Sequence, residues 1–416
     1  MTKTKQAVKR TILAVIVFIV AGLRRVVRKK CIVIVCPPFP SPRNIGDRAL
    51  VLGAIAAIRV QKEMPLILVA ASEDEIPPFL EAGEVAIERR LFRLFTFGGS
   101  LFERVRWVWL LRNAESVYMV GADSVDGTYS QTQSNGKLDN AGLAASIGVP
   151  TSVVSFSINR LSNETCERLH RLPPSVKLVP RDPVSYQRLC DAGITPSNLG
   201  ADLSYLVRPN ALEIDQDTRS FCDRNAGRLL GVNINNQMMV ALQDRPASLL
   251  YLAEAYATVA SIRELSVLLL PNTDRQFDRF YSDLFSLLRD RCDTHVVQPV
   301  PSCGGFKHLI SLCEYLFSVS LHVSHFSLSV GTPVTCFPYV GKFEGVLREF
   351  EIEDSVINLE ELPQDSHDFA EIMLSHYDNR IQRRERIAHN LQHVRELAAL
   401  NIPGDTKSIL CREERE

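Results

Sequence analysis

The residues of this 416-residue chain best suited to chemistry are two histidines and a small set of carboxylates and cations beside them in the sequence pattern. Between Ser318 and Val334 the order Ser320-Leu321-His322, His325, Gly331-Thr-Pro333 reads as a short strand that delivers a histidine to a helix start, followed by a turn into another strand. An imidazole has an ordinary pKa of about 6.5, which suits a general acid near neutrality. The plain alternative is a histidine that only satisfies local hydrogen bonds. His322 and His325 stand three apart, on neighbouring positions of one helix face, and no third ligand follows at a fitting spacing, so the pair does not read as a metal site.

Three further groups fall just past predicted strands. Asn44-Ile-Gly46-Asp47 lies between a strand end and a helix start, where free N–H groups and the positive helix terminus hold an anion or a sugar hydroxyl, and where Asp47 could take a hydroxyl proton. An ordinary helix cap with a glycine turn fits the same spacing. Met119-Val-Gly121-Ala-Asp123 with Asp126-Gly127 repeats the arrangement and offers carboxylates to sugar hydroxyls or to a solvated turn. Leu178-Val-Pro-Arg181-Asp182-Pro-Val-Ser185 ends a strand on an arginine able to clamp a carboxylate or phosphate, or to pair with Asp182 or another acid; Asp202 is one more acid at a strand boundary. Lys342, in Tyr339-Val-Gly-Lys342-Phe-Glu344-Gly345, follows the last predicted strand.

These groups need strands and helices to position them. Cys31–Cys36 is a β-branched apolar run closed by Pro37-Pro38, as expected of a buried parallel strand. Further strands are expected at 65–71, 116–120 and 151–155, with helices at 48–61 and 140–147 between them. A second series follows: strands at 229–233, 266–270, 295–298, 315–319 and 333–337, with helices at 247–264, 276–288 and 306–313. Such alternation predicts parallel α/β sheets, and two blocks of similar size predict two Rossmann-like domains facing across a cleft, with ligands at the carboxyl ends of the strands. The expected division is a leader at 1–30, domains at 31–210 and 211–362, and closing helices at 363–416 whose buried positions include Ile372, Ile381, Ile387, Leu391 and Leu397.

The formal net charge of -1 hides an asymmetry. The first 30 residues carry nine Lys or Arg and no acid, which leaves 38 basic against 48 acidic residues in the body and argues against nucleic acid as a partner. Ten cysteines show neither a CxxC pair nor zinc-like spacing and read as free thiols of a reducing compartment. Ile12–Leu23 is an unbroken apolar run with basic flanks. As a helix its twelve residues span about 18 Å, short of a hydrocarbon core of roughly 30 Å. A surface-packed leader, a peripheral anchor and a spanning helix all remain open, and the basic flanks favour a peripheral contact with anionic cytoplasmic lipid.

In this order, Asn44-x-Gly46-Asp47, Arg181-Asp182-x-x-Ser185 with Asp202, Leu321-His322, Gly331-x-Pro333 and Lys342 with Gly345 resemble the polysaccharide pyruvyltransferase family, over roughly residues 31–350. The resemblance implies a GT-B-like fold and transfer of a pyruvyl group from phosphoenolpyruvate to a sugar of a cell-surface glycan or its lipid-linked precursor. It implies no metal and no separate cofactor, and a place at the inner face of the cytoplasmic membrane. His322 and Asp47 are then the expected catalytic pair. Arg181, Ser320, Leu321 and Lys342 would meet the donor, and Asn44, Gly46, Gly121 and Asp123 the acceptor. Two departures stand out: Ser320 replaces the family's arginine, and Ala122-Asp123 interrupts its glycine-rich turn. Either the donor site is rebuilt or the donor differs. A nucleotide-sugar glycosyltransferase and a non-catalytic relative that binds glycan or protein are the competing readings.

Overall fold

The computed structural model describes residues 3–24, 30–37, 44–70, 85–242, 248–273, 280–338 and 343–411. The chain forms two compact units. One comprises Met1–Pro42, Leu50–Leu203 and Leu397–Glu416; the other comprises Arg43–Ala49 and Ser204–Glu396.

The first unit is built on six parallel strands: β1 (Cys31–Val35), β2 (Leu66–Val69), β3 (Val85–Ile87), β4 (Ala114–Ala122), β5 (Thr151–Phe156) and β6 (Val176–Pro180), in the order β3-β2-β1-β4-β5-β6. Every residue of β1 and β5 is buried, and β1 accordingly reads as a continuous apolar run and not as an alternation. The sequence reading has no strand at β3. It is a three-residue edge strand, half exposed, and carries no apolar run to betray it. The helices that matter below are α1 (Lys3–Leu23), α2 (Ile45–Gln61), α3 (Leu101–Leu111), α4 (Gln131–Ser146) and α5 (Pro183–Asp191). The residues of α2 up to Ala49 count with the second unit. Val20 of α1 joins the apolar core of the first unit, with Leu13, Ile16, Val17 and Ala21 packed against it. No helix among the described residues is long and apolar enough to cross a membrane.

The second unit has five parallel strands: β7 (Leu229–Asn233), β8 (Ser266–Leu269), β9 (Thr294–Val296), β10 (Cys313–Ser318) and β11 (Val334–Cys336), in the order β11-β10-β7-β8-β9. Its helices include α6 (Ser248–Arg263), α7 (Cys303–Ser311), α8 (Leu321–Ser329), α9 (Ser366–Asp378) and α10 (Arg380–Ala399). In each sheet the chain winds outward in one direction and then returns to build on the other side. The order reverses between β1 and β4 in one unit and between β7 and β10 in the other. Loops leaving the carboxyl ends of such a pair part company and leave a crevice, the usual ligand position of open α/β sheets.

The closing helices correct part of the expected core. Ile387 is buried, Leu391 and Leu397 are partly buried, but Ile372 and Ile381 are exposed at 36% and 61%. On α9 the inward row is Phe369, Met373 and Tyr377 at four-residue spacing. On α10 the inward place near the start is taken by Arg383, whose guanidinium donates to Tyr315 Oη and to the backbone carbonyl of His376. A hydrophobic tally cannot foresee a buried arginine satisfied by such partners.

Candidate active site

His322 and Asp47 meet. His322 Nε2 lies 3.7 Å from Asp47 Oδ1, and both side chains are only 12% exposed. The elements that bring them together explain the residue types. β10 ends at Ser318, Ser320 takes the cap position of α8, and His322 falls in the first helical turn, where backbone N–H groups have no intrahelical acceptor. On the other side Asn44 organises the start of α2: its Oδ1 accepts from Gly46 N at 3.1 Å, and its Nδ2 donates to Asp47 Oδ2 at 3.0 Å. That fixes one carboxylate oxygen and leaves the other toward the imidazole. Gly46 is required by space, since a Cβ there would overlap His322 Cγ, Cβ and Cδ2. Asn44 and Gly46, expected to meet the acceptor, and Asp47, expected to be catalytic, thus form one group beside His322.

The second imidazole nitrogen stands differently. His322 Nδ1 is buried and has no hydrogen-bond partner among the described residues. A buried polar atom left in this way is costly, and it is the position from which a bound molecule could exchange a proton. His325, three residues on, is fully buried and held by Tyr205, with Nδ1 at 3.3 Å from the phenolic oxygen and the rings in an edge contact at 5.6 Å. The two histidines therefore differ in their surroundings: His325 packs against Tyr205, whereas His322 lies beside Asp47.

The carboxyl edge of the second sheet forms a polar floor that the sequence reading missed. Asn233, at the end of β7, donates to Leu270 O at 2.8 Å and accepts from Ser318 Oγ at 3.2 Å, which links β7 to β10 at the order reversal. Tyr281 Oη accepts from Ile234 N at 2.8 Å. Asn272, past β8, donates to Ser320 Oγ at 3.4 Å. Ser320 itself makes no side-chain cap bond to α8. The clue lay in plain view: Asn233 and Leu270-Pro-Asn272 are amides just beyond apolar runs, where a strand ends inside the fold.

In the first unit Gly121, Asp123, Arg181 and Asp202 also come together. Arg181 is fully buried and each guanidinium nitrogen is committed: Nε to Ser157 Oγ at 2.8 Å, Nη1 to Asp202 Oδ2 at 2.9 Å, Nη2 to Asp123 Oδ1 at 2.8 Å. Burial works against its charge, but Asp123, Asp202 and Asp182 hold its pKa above the ordinary arginine value. Of the two roles open to Arg181 in the sequence, its surroundings display the ion pair. Asp182 caps α5, accepting from Ser185 N at 2.7 Å and from Ser157 Oγ at 3.0 Å, while Ser185 Oγ accepts from Ile158 N at 2.8 Å. Pro183 occupies the first helical turn, where a missing N–H does no harm. The Arg-Asp-x-x-Ser motif is thus a brace between the ends of β5 and β6 and the start of α5.

At Gly121 an added Cβ would overlap the Phe156 side chain, and the carbonyls of Val120 and Gly121 accept from the buried Lys137 of α4 at 2.5 and 3.2 Å. The next residue, Ala122, has φ 48, a left-handed conformation natural to glycine. The backbone of a glycine turn persists there with alanine in it, at a strain on the order of 1 kcal/mol. Asp123, its side chain 28% exposed, is the member of the cluster that reaches solvent. Leu321, expected beside the donor, is 5% exposed, and Lys342 lies outside the described residues. Among the described residues no group of three or more His, Cys, Asp or Glu could hold a metal ion, and no disulfide joins the nine cysteines whose side chains are described.

Two parallel-sheet α/β units define a GT-B fold, and solved structures agree. The UDP-GlcNAc 2-epimerase of Neisseria meningitidis, bound to UDP-GlcNAc, superposes with a TM-score of 0.55 at 11% identity over 92% of this chain and 100% of that one. HepE of Anabaena, in complex with UDP and glucose, gives 0.53 at 14% over 93% and 98%, and MurG of Acinetobacter baumannii gives 0.50 at 10% over 94% and 100%. At these identities the likeness is one of fold. The sequence profile of the polysaccharide pyruvyl transferase family matches residues 16–340, and the chain belongs to that family. A sequence search among curated proteins found no match.

Proposed function

We propose that the chain transfers the pyruvyl group of phosphoenolpyruvate to two hydroxyls of a sugar, in a cell-surface glycan or its lipid-linked precursor, at the inner face of the cytoplasmic membrane. His322 donates a proton to the methylene carbon of the enol, which makes the neighbouring carbon electrophilic. A sugar hydroxyl adds to that carbon, and its proton is taken up by the phosphate group. The bond from the same carbon to the phosphate oxygen then breaks, phosphate leaves, and a second hydroxyl closes the ketal, its proton balancing the one first consumed. Asp47, 3.7 Å from Nε2, holds the ring oriented for that proton transfer. The observation that carries this reading is the Asp47–His322 pair, assembled from two family motifs 275 residues apart, with Nδ1 buried and unpartnered among the described residues.

Ser320 brings no charge to the donor, so the reading assigns the carboxylate and phosphate to neutral donors, the free N–H groups at the start of α8 and Asn272, with Lys342 as the cation supplied by the sequence. Asp123 and Gly121 stand on the acceptor side, and Arg181 acts through Asp123 as a positioning residue. The same serine favours a second reading, a nucleotide-sugar transferase in which no small anion needs that arginine. Purified protein given labelled phosphoenolpyruvate and a lipid-linked glycan extract should release phosphate and label the glycan, with nucleotide-sugars left intact. His322→Ala should lower that rate by about 100- to 10,000-fold. Turnover of a nucleotide-sugar without phosphoenolpyruvate consumption would replace the first reading by the second.

A further inference from the structure

The first unit carries an apolar surface that its core does not use. α1 turns Val17 and Val20 toward the core, and its other side presents Val15, Phe18 and Ile19 to solvent at 54%, 82% and 49% exposure. α1 packs against α3. On α3, Phe102 and Trp109 are 71% and 50% exposed and stand two turns apart along one helix face. Single exposed apolar residues are ordinary, but this many large ones on two adjoining helices mark a contact surface.

The chemistry at its end names the occupant. Arg24 Nη2 donates to Ala114 O at 3.0 Å, so α1 ends beside the start of β4, three residues past α3. Arg112 lies over the Trp109 ring at 4.3 Å, and Lys30, 45% exposed, pairs with Glu115 at 2.7 Å. Nine basic residues and no acid in the first 30 give this segment a positive charge. Tryptophan at the rim, arginine beside it and aliphatic side chains between them suit the headgroup boundary of an anionic bilayer. A second copy of the chain fits poorly, because joining two such faces would bring two basic rims together.

We infer that α1 and α3 together form an in-plane docking face for an anionic lipid bilayer, held as part of the folded first unit. This deepens the membrane contact proposed above but does not depend on the transfer chemistry, since binding is read without substrate. In flotation with vesicles of equal phosphatidylglycerol and phosphatidylcholine, the full chain should float, and pure phosphatidylcholine should retain several-fold less of it. Rising salt should release it, as surface charges are screened. The double variant Phe18→Glu, Trp109→Glu should bind about ten-fold less or weaker still. Both positions are solvent-facing, so circular dichroism should show an unchanged fold. Unchanged binding of the double variant, equal binding of the wild type to neutral vesicles, or a wild-type dimer that the double variant converts to a monomer would each overturn the inference.

Discussion

The two units hold two polar clusters of opposite character. Around Arg181 every guanidinium nitrogen has a partner, Asp202 is fully buried beside it, and Asp182 and Ser185 close the network onto the backbone of Ile158. Around His322 one imidazole nitrogen faces Asp47 and the other meets no hydrogen-bond partner among the described residues. Buried polar groups are normally satisfied, so a completed network is what stability selects and an incomplete one calls for another reason. The contrast sets a completed brace against a cluster that leaves one polar atom without a partner among the described residues, although both are made of motif residues.

Replacing Arg181 attacks the brace and should have the largest effect. Arg181→Met leaves the Asp202 carboxylate buried without its counter-charge, at a cost of about 3–5 kcal/mol of unfolding free energy in urea titration. A variant that keeps its stability and loses only donor affinity would move Arg181 from the brace to the ligand. Gly46→Ala attacks the reaction site through space alone. Its methyl group would displace the His322 ring, and a displacement of about 1 Å should lower turnover roughly 100-fold, with a stability loss of about 1–3 kcal/mol. Unaltered kinetics would show that the position of the ring is unimportant. The smallest effect is expected in the strained turn of the first unit. Ala122→Gly releases a left-handed alanine and should raise stability by about 0.5–1 kcal/mol in the same titration; a loss would mean that the methyl group contributes packing that outweighs its strain.

Much of the framework was legible in the sequence because burial on both faces writes strands such as Cys31–Val35, and Leu229–Asn233 up to its last residue, as apolar runs. The placement of polar residues at the ends of those runs was legible too, since a histidine, a glycine-aspartate pair and an arginine each followed one. What could not be read was which of them would meet. Nothing local tells that the turn at Gly46 must accept the ring of His322, or that Arg181 has three oxygen partners and is closed to solvent. Periodicity also failed where a charged residue took an inward place, as Arg383 does on α10 while Ile381 faces out. The asparagines at the carboxyl edge of the second sheet escaped because amides after strands usually mark surface turns.

The account stands on Asp47 and His322 acting as one unit. A double-mutant cycle with Asp47→Asn and His322→Ala, read as kcat/KM for phosphate release from phosphoenolpyruvate with the glycan extract, tests this directly. The account predicts that the double variant is no slower than His322→Ala alone, with a coupling of about 1–3 kcal/mol. Losses that simply add would contradict it.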